Sequence, residues 1–176
     1  MTRSDGYLLD NQQNEAGERF DAFATLFDPT TFRHLEGSMV KALRPGGRLL
    51  IEDADPALQP LVCPDEHGPE QELANRLRHG FRHLLADRGA DLAYGRRLPR
   101  LLREAGLRQV EADAYFPLTS PACAALESAT IRQIRDRLVS AKIATNEDVD
   151  RHLANIASGA MDLATAPMIS AWGRKA

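Results

Sequence analysis

Two neighbouring carboxylates, Glu52 and Asp53, close a short apolar run that begins at Arg48. A run of this kind, bounded by turn residues on both sides, is typical of a buried strand. Open α/β sheets bind their ligands at the carboxyl ends of such strands, which would place both acids beside a ligand. The same two residues also suit simple capping of the strand and contact with solvent, and both interpretations stay open.

Two histidines, His79 and His83, lie four residues apart in a helical pattern, with Asp87 one turn further on. This spacing would let both imidazoles face one metal ion. The glutamate of the HExxH motif is missing between them, and a solvated or cleft-lining helix face accounts for the same residues. We therefore predict no metal site.

The composition argues against several other classes of protein. The sequence contains no GxGxxG loop, no P-loop and no GxSxG nucleophile elbow. Its two cysteines, Cys63 and Cys123, have no CxxC spacing. A net charge of -3 over 176 residues offers no basic surface for nucleic acid, and no apolar run approaches a membrane span or a signal peptide. We expect a cytoplasmic protein that binds neither nucleic acid nor membrane.

The elements that must position these residues are mostly helices. Phenylalanines at three- and four-residue spacing predict an amphipathic helix over Glu15–Phe27, and a second helical pattern reaches Leu43. Pro69 opens a helix that runs to about Asp87, and Gly106 ends a short helix that follows it.

Two more helices are predicted after residue 119. Ser120-Pro121 starts a long one, and Thr145 with Asp148 forms a capping box for the next, which stops near Gly159. In the long helix we expect four side chains to point inward: Leu126, Ile131, Ile134 and Leu138.

Three strands are predicted, near residues 48–53, 108–116 and 167–173. The second alternates small or apolar residues (Val110, Ala112, Ala114) with polar ones, which predicts a half-buried strand.

Several segments together resemble one enzyme family. Ala42–Asp53 resembles the L-x-P-G-G-x-L segment that leads into the fifth strand of class I S-adenosylmethionine-dependent methyltransferases. Gly89–Pro99 and Leu101–Leu107 are similar to the region before the family's sixth strand, and Pro167–Gly173 is similar to its final antiparallel strand.

The beginning of the chain extends the resemblance. Tyr7–Asn11, Gly17–Phe20 and Phe27–Phe32 are similar to the N-terminal helical cover of actinobacterial members that act on small molecules. The resemblance implies an α/β fold, a truncated Rossmann-like sheet of about three strands with flanking helices, whose last strand is antiparallel and lies between the other two. Residues 1–44 would be the helical cover, and residues 45–176 the C-terminal half of the methyltransferase domain.

The resemblance also implies a small-molecule substrate and S-adenosylmethionine as cofactor. The residues that would line the substrate side are Glu52, Asp53, Arg82, His83, Tyr94 and Arg96. The family's glycine-rich cofactor loop and its ribose-binding acid have no counterpart, and only three residues separate Leu35 from Met39, where about three strand-helix-strand units are expected. We therefore expect cofactor binding to be weak or absent.

Two functional hypotheses follow. In the first, the protein is a methyltransferase that uses an altered cofactor site or a partner's missing half. In the second, it is a non-catalytic accessory or remnant protein. A gene-model error or an accidental deletion is a third explanation of the missing segment. Without the strand that normally lies beside residues 48–52, we expect an unprotected apolar edge, and hence a homodimer or a complex with a related full-length methyltransferase.

Overall fold

The computed structural model describes residues 38–176, so the helix predicted over Glu15–Phe27 and most of the one that follows lie outside the described residues. Residues 38–42 are helical. The elements after them are β1 (Arg48–Ala54), α1 (Pro69–Asp87), a short 3₁₀ helix (Gly95–Arg97), α2 (Leu98–Glu104), β2 (Leu107–Tyr115), α3 (Pro121–Ser140), α4 (Asn146–Ser158) and β3 (Met168–Lys175).

The three strands form one sheet in the order β1-β3-β2, and β3 is antiparallel to both neighbours. Trp172 of β3 lies opposite Leu50 of β1 on one side and Glu111 of β2 on the other. The prediction of a small α/β fold, with the last strand antiparallel and in the middle, is confirmed.

One face of this sheet is packed and the other is not. On the packed face, Leu49 and Ala171 join Leu98 and Leu102 of α2 in a buried cluster, together with Val40 of the preceding helical segment. Side chains of the opposite face, which we call the open face, alternate with these along each strand. The open face consists of Arg48, Leu50, Glu52, Ala54, Arg108, Glu111, Asp113, Tyr115, Met168, Ser170, Trp172 and Arg174.

The prediction that β2 is half-buried is wrong beyond Val110. Leu107 is buried and Val110 packs against the same cluster, but Ala112 and Ala114 are exposed. A bulge at Gln109, whose φ of 50° is positive, lets Leu107 and Val110 both reach the packed face. That cluster is built on the short helix α2 and includes only the first part of β2. Beyond Val110 the side chains of β2 still alternate between the two faces of the sheet, but neither face is covered there.

Helices α1, α3 and α4 enclose a second core, built from leucine, isoleucine and valine side chains. Their ends lie where the sequence predicts: Pro69 is in the first turn of α1, Thr145 and Asp148 form the capping box of α4, and Gly159 ends α4 with a φ of 72°. Within residues 38–176 no helix combines the length and apolarity needed to cross a bilayer.

One inward position in α3 differs from the prediction. Leu126 is 55% exposed, whereas the neighbouring Glu127 is 1% exposed. Glu127 lies four residues before Ile131 and four after the buried Cys123, so it is in phase with the inward stripe and Leu126 is not. The expectation that Leu126 points inward is wrong.

Candidate functional site

The carboxyl end of β1 is fixed by a fully buried acid, Asp55, which follows the strand directly. Its carboxylate accepts two hydrogen bonds from the Arg96 guanidinium, from Nε and Nη2, each 2.7 Å long. It also accepts the main-chain N–H groups of Arg96 and Leu58, both at 3.0 Å. Four donors therefore satisfy this carboxylate within its own chain.

Hydrogen bonding keeps Asp55 ionised although it is buried. Burial by itself raises the pKa of this carboxyl, but the hydrogen bonds from the Arg96 side chain and main chain, its positive charge and the Leu58 N–H together outweigh burial. The net result is a pKa below the ordinary value. Asp55 is thus a structural anion that holds the loop after β1 to the 3₁₀ helix.

The 3₁₀ helix lies directly against the end of β1 because its first residue is glycine. A Cβ added at Gly95 would lie 2.8 Å from the main-chain oxygen of Asp53 and 2.9 Å from Cγ1 of Ile169. Any side chain here would push the turn away from the strands. Gly95 therefore brings its neighbours, Tyr94 and Arg96, to the end of β1.

Asp53 is half-buried on the packed face beside this turn. Burial raises the pKa of its carboxyl; a hydrogen bond from the Ala54 main chain opposes the rise, and the negative charges of Asp55 and Asp91 add to it.

Three of the six predicted site residues therefore lie at one corner of the sheet. Asp53 is the last residue but one of β1, Tyr94 packs against the sheet cluster from the turn, and Arg96 anchors that turn to Asp55. The corner thus brings a carboxyl and a phenol beside a guanidinium that is 42% exposed and paired with Asp55.

Glu52 lies on the other side of the sheet, because successive side chains of β1 alternate between faces. Its carboxylate accepts a hydrogen bond from the Ser170 hydroxyl. Both residues line a shallow depression of about 510 Å³ on the open face, with Leu50 and Trp172 among its other walls. Glu52 is not part of the corner formed by Asp53.

Arg82 and His83 belong to the helical layer. They lie on α1, which packs against α3 and α4. His83 Nε2 is 3.5 Å from the carboxylate of Asp87 on the same helix, and both side chains are mostly exposed. Within residues 38–176, no group of three or more His, Cys, Asp or Glu residues is placed to hold a metal ion.

A second buried polar cluster joins the three long helices. Arg78 of α1 forms an ion pair with Glu127 of α3, and Nε2 of His152 in α4 lies 3.3 Å from the same carboxylate. Neither the residues of this cluster nor Asp55 are among the site residues predicted from the sequence. The position of Glu127 on the inward stripe of α3 was the signal for the first, and the Asp-Ala-Asp-Pro sequence after β1 was the signal for the second.

Comparisons with known proteins show distant structural similarity to solved structures but no match by sequence. No protein-family model matches the chain, and no curated protein matches it. Its fold is similar to that of Haemonchus contortus phospholethanolamine N-methyltransferase 2, solved in complex with phosphomonomethylethanolamine and S-adenosylhomocysteine. The identity is 18% and the TM-score 0.36; the similarity covers 80% of this chain and 29% of that enzyme, so the chain spans less than a third of its length.

Proposed function

We propose that the protein is a member of the class I S-adenosylmethionine-dependent methyltransferase family that retains the C-terminal half of the domain in residues 45–176, behind a helical cover in residues 1–44. The strand order carries this proposal. The segment similar to the family's entry into strand five leads into β1, and the segment similar to its final strand forms β3, antiparallel and in the middle.

The substrate side is assigned to the corner at the end of β1, and the substrate to the class of small polar molecules. Methyl transfer requires mainly that the acceptor be positioned and its nucleophile desolvated. Asp53 and Tyr94 supply a carboxyl and a phenol beside the turn that Arg96 holds in place. Glu52, Arg82 and His83 lie elsewhere and have no role in this version of the site.

The described residues do not fit S-adenosylmethionine. Binding it requires a free acid for the ribose and a row of exposed main-chain N–H groups for the charged methionine end. The sequence has no glycine-rich loop to supply those N–H groups, and four donors from its own chain already satisfy Asp55, the acid directly after β1. Asp113, whose side chain has no partner among the described residues, lies on the open face without such a loop. We infer that this chain alone does not bind the cofactor and derive no step through it.

A second candidate function is that of an accessory protein that works beside a complete methyltransferase or a second copy of itself. Among the described residues, β1 has a partner strand only on the β3 side. An unpaired edge with Leu50 and Ile51 can recruit another strand. This unpaired edge favours association with another chain over catalysis by the isolated chain.

Calorimetric titration of the full chain with S-adenosylmethionine tests the proposal. We expect no saturable heat at ligand concentrations up to about 100 µM. Micromolar binding would overturn the inference on the cofactor. In that event Asp53→Ala and Tyr94→Ala should weaken binding of the cofactor or the acceptor, while Asp150→Ala, on the exposed side of α4, should not.

A further inference from the structure

The side chains of the open face form four rows that run across the strands. From one end of the sheet to the other, the cross-strand partners are Arg48, Arg174 and Arg108, then Leu50, Trp172 and Glu111, then Glu52, Ser170 and Asp113, then Ala54, Met168 and Tyr115. The face therefore has a row of three arginines at one end, an apolar row centred on Trp172, and an acidic row beyond it.

The open face differs from an ordinary solvated surface in two ways. Large apolar side chains lie on it uncovered by any described residue: Leu50 is 55% exposed and Tyr115 69%. Its charges are also separated by sign, and the side chains of Arg48, Arg108 and Asp113 form no hydrogen bond or ion pair with another described residue. An apolar surface rimmed by unpaired charges is typical of a protein–protein interface.

We propose that the open face binds the open face of a second copy of this chain, about a two-fold axis that runs across the strands at Trp172. The inference rests on the self-association included in the proposed function, but not on the methyltransferase assignment. A rotation about this axis exchanges the rows on either side of Trp172. Arg48 then faces Glu52 of the second copy, and Arg108 faces Asp113 of the second copy.

The charge layout selects this axis over the alternative. A two-fold axis parallel to the strands would lay the arginine row of one copy on the arginine row of the other, and like charges brought together in this way oppose association. The axis across the strands pairs Arg48 and Arg108 with acids of the second copy and places Leu50 and Trp172 at the centre, where water is excluded. It brings together a single pair of like charges, Glu111 of each copy at the edge of the central row, whereas the other axis would stack whole rows of like charge. Two sheets packed face to face in this way lie about 10 Å apart.

A charge-exchange experiment tests this geometry. The full chain is compared with Arg48→Glu, Glu52→Arg and the double variant by sedimentation velocity across concentrations up to about 200 µM. Each single variant should weaken dimerisation at least tenfold, because it places like charges opposite one another. The double variant should restore dimerisation, since the exchanged charges again face their opposites.

No contact within one chain can produce this restoration. Arg48 and Glu52 are four residues apart on one extended strand, which is about 13 Å and too far for an ion pair. Arg132→Glu, an exposed change of the same charge on α3, is the matched control and should leave the dimer unchanged.

Each of four results would overturn the proposal. A wild-type dimer that ignores the single variants, or one that the double variant fails to restore, would use another surface such as the β1 edge, and self-association would stand without this interface. A wild-type protein that is monomeric at every concentration would refute both self-association and this interface. A monomer whose melting temperature falls in Leu50→Lys, but not in Arg132→Glu, would show that residues 1–37 cover the face.

Discussion

Replacing Asp55 with asparagine should lower the free energy of unfolding by about 3 kcal/mol at pH 7. Charge-assisted hydrogen bonds contribute about 1.5–3 kcal/mol each, and breaking a buried ion pair costs about 3–5 kcal/mol. Asp55 is fully buried and accepts four donors, but the Arg96 side chain is 42% exposed and can turn toward water. Because Arg96 can be solvated in this way, we expect a loss of unfolding free energy at the lower end of the range for a buried ion pair.

The loss should depend on pH, and its sign follows from the lowered pKa of Asp55. A carboxyl whose pKa is lower in the folded protein stabilises the fold above its unfolded pKa, near 4, and loses that contribution as the pH falls through the folded value. The difference between wild type and Asp55→Asn should therefore be full at pH 7 and shrink in strong acid. Urea unfolding at several pH values, with an unchanged m-value, measures it.

Asp150→Asn is the matched control, because Asp150 accepts two hydrogen bonds from the Arg135 guanidinium, at 2.6 and 3.0 Å. Its side chain is 62% exposed, so solvent screening leaves this ion pair with a much smaller effect. If Asp55→Asn destabilises the protein no more than Asp150→Asn does, burial does not increase the contribution of the Asp55–Arg96 pair to the free energy of unfolding.

Three further predictions concern the same structure. Asp53→Asn should stabilise the protein at pH 7 but not near pH 3 in thermal melts. The pKa of Asp53 is raised in the folded protein, so this carboxyl contributes stability below its unfolded pKa and loses that contribution as the pH rises. Equal effects of the substitution at both pH values would contradict this. Gly95→Ala should cost about 2 kcal/mol in urea unfolding, since its methyl group would press on the end of β1; a neutral result would mean that the turn moves freely. Burial, with the nearby Glu127 charge, raises the pKa of Cys63 to about 12, so iodoacetamide at pH 8 should modify it only after unfolding; rapid modification of the folded protein, located by mass spectrometry, would refute this.

The ends of the elements could be predicted because their signals are local. Pro69 fits the first turn of a helix, Gly159 adopts a left-handed conformation that suits glycine, and Thr145 and Asp148 exchange hydrogen bonds over three residues. Each requires only neighbours in the chain, so the bounds of α1 and α4 follow from sequence alone.

Burial and pairing could not be predicted in the same way, because they depend on distant parts of the chain. Alternation along β2 indicates which side chains share a face, but not that α2 is too short to cover Ala112 and Ala114. The partner of Asp55 lies 41 residues away, and no local pattern marks Arg96 as that partner rather than Arg97. Of the predicted site, Asp53, Tyr94 and Arg96 come together for this non-local reason.

The central position of β3 sets the order in which the sheet can assemble. β1 and β2 never pair with each other, and β3, which pairs with both, follows them in the chain. During synthesis, two strands and all the helices between them leave the ribosome before either strand can form a ladder. Contacts of such large sequence separation slow folding, because a long loop must close before any pairing is gained. Helices α3 and α4 are neighbours in the chain and can pack early, whereas α1 contacts them across 49 and 72 residues. Strand β1, with its leucines and isoleucine, stays unpaired until β3 has been synthesised. During this interval the nascent chain is most open to aggregation or to pairing with another strand.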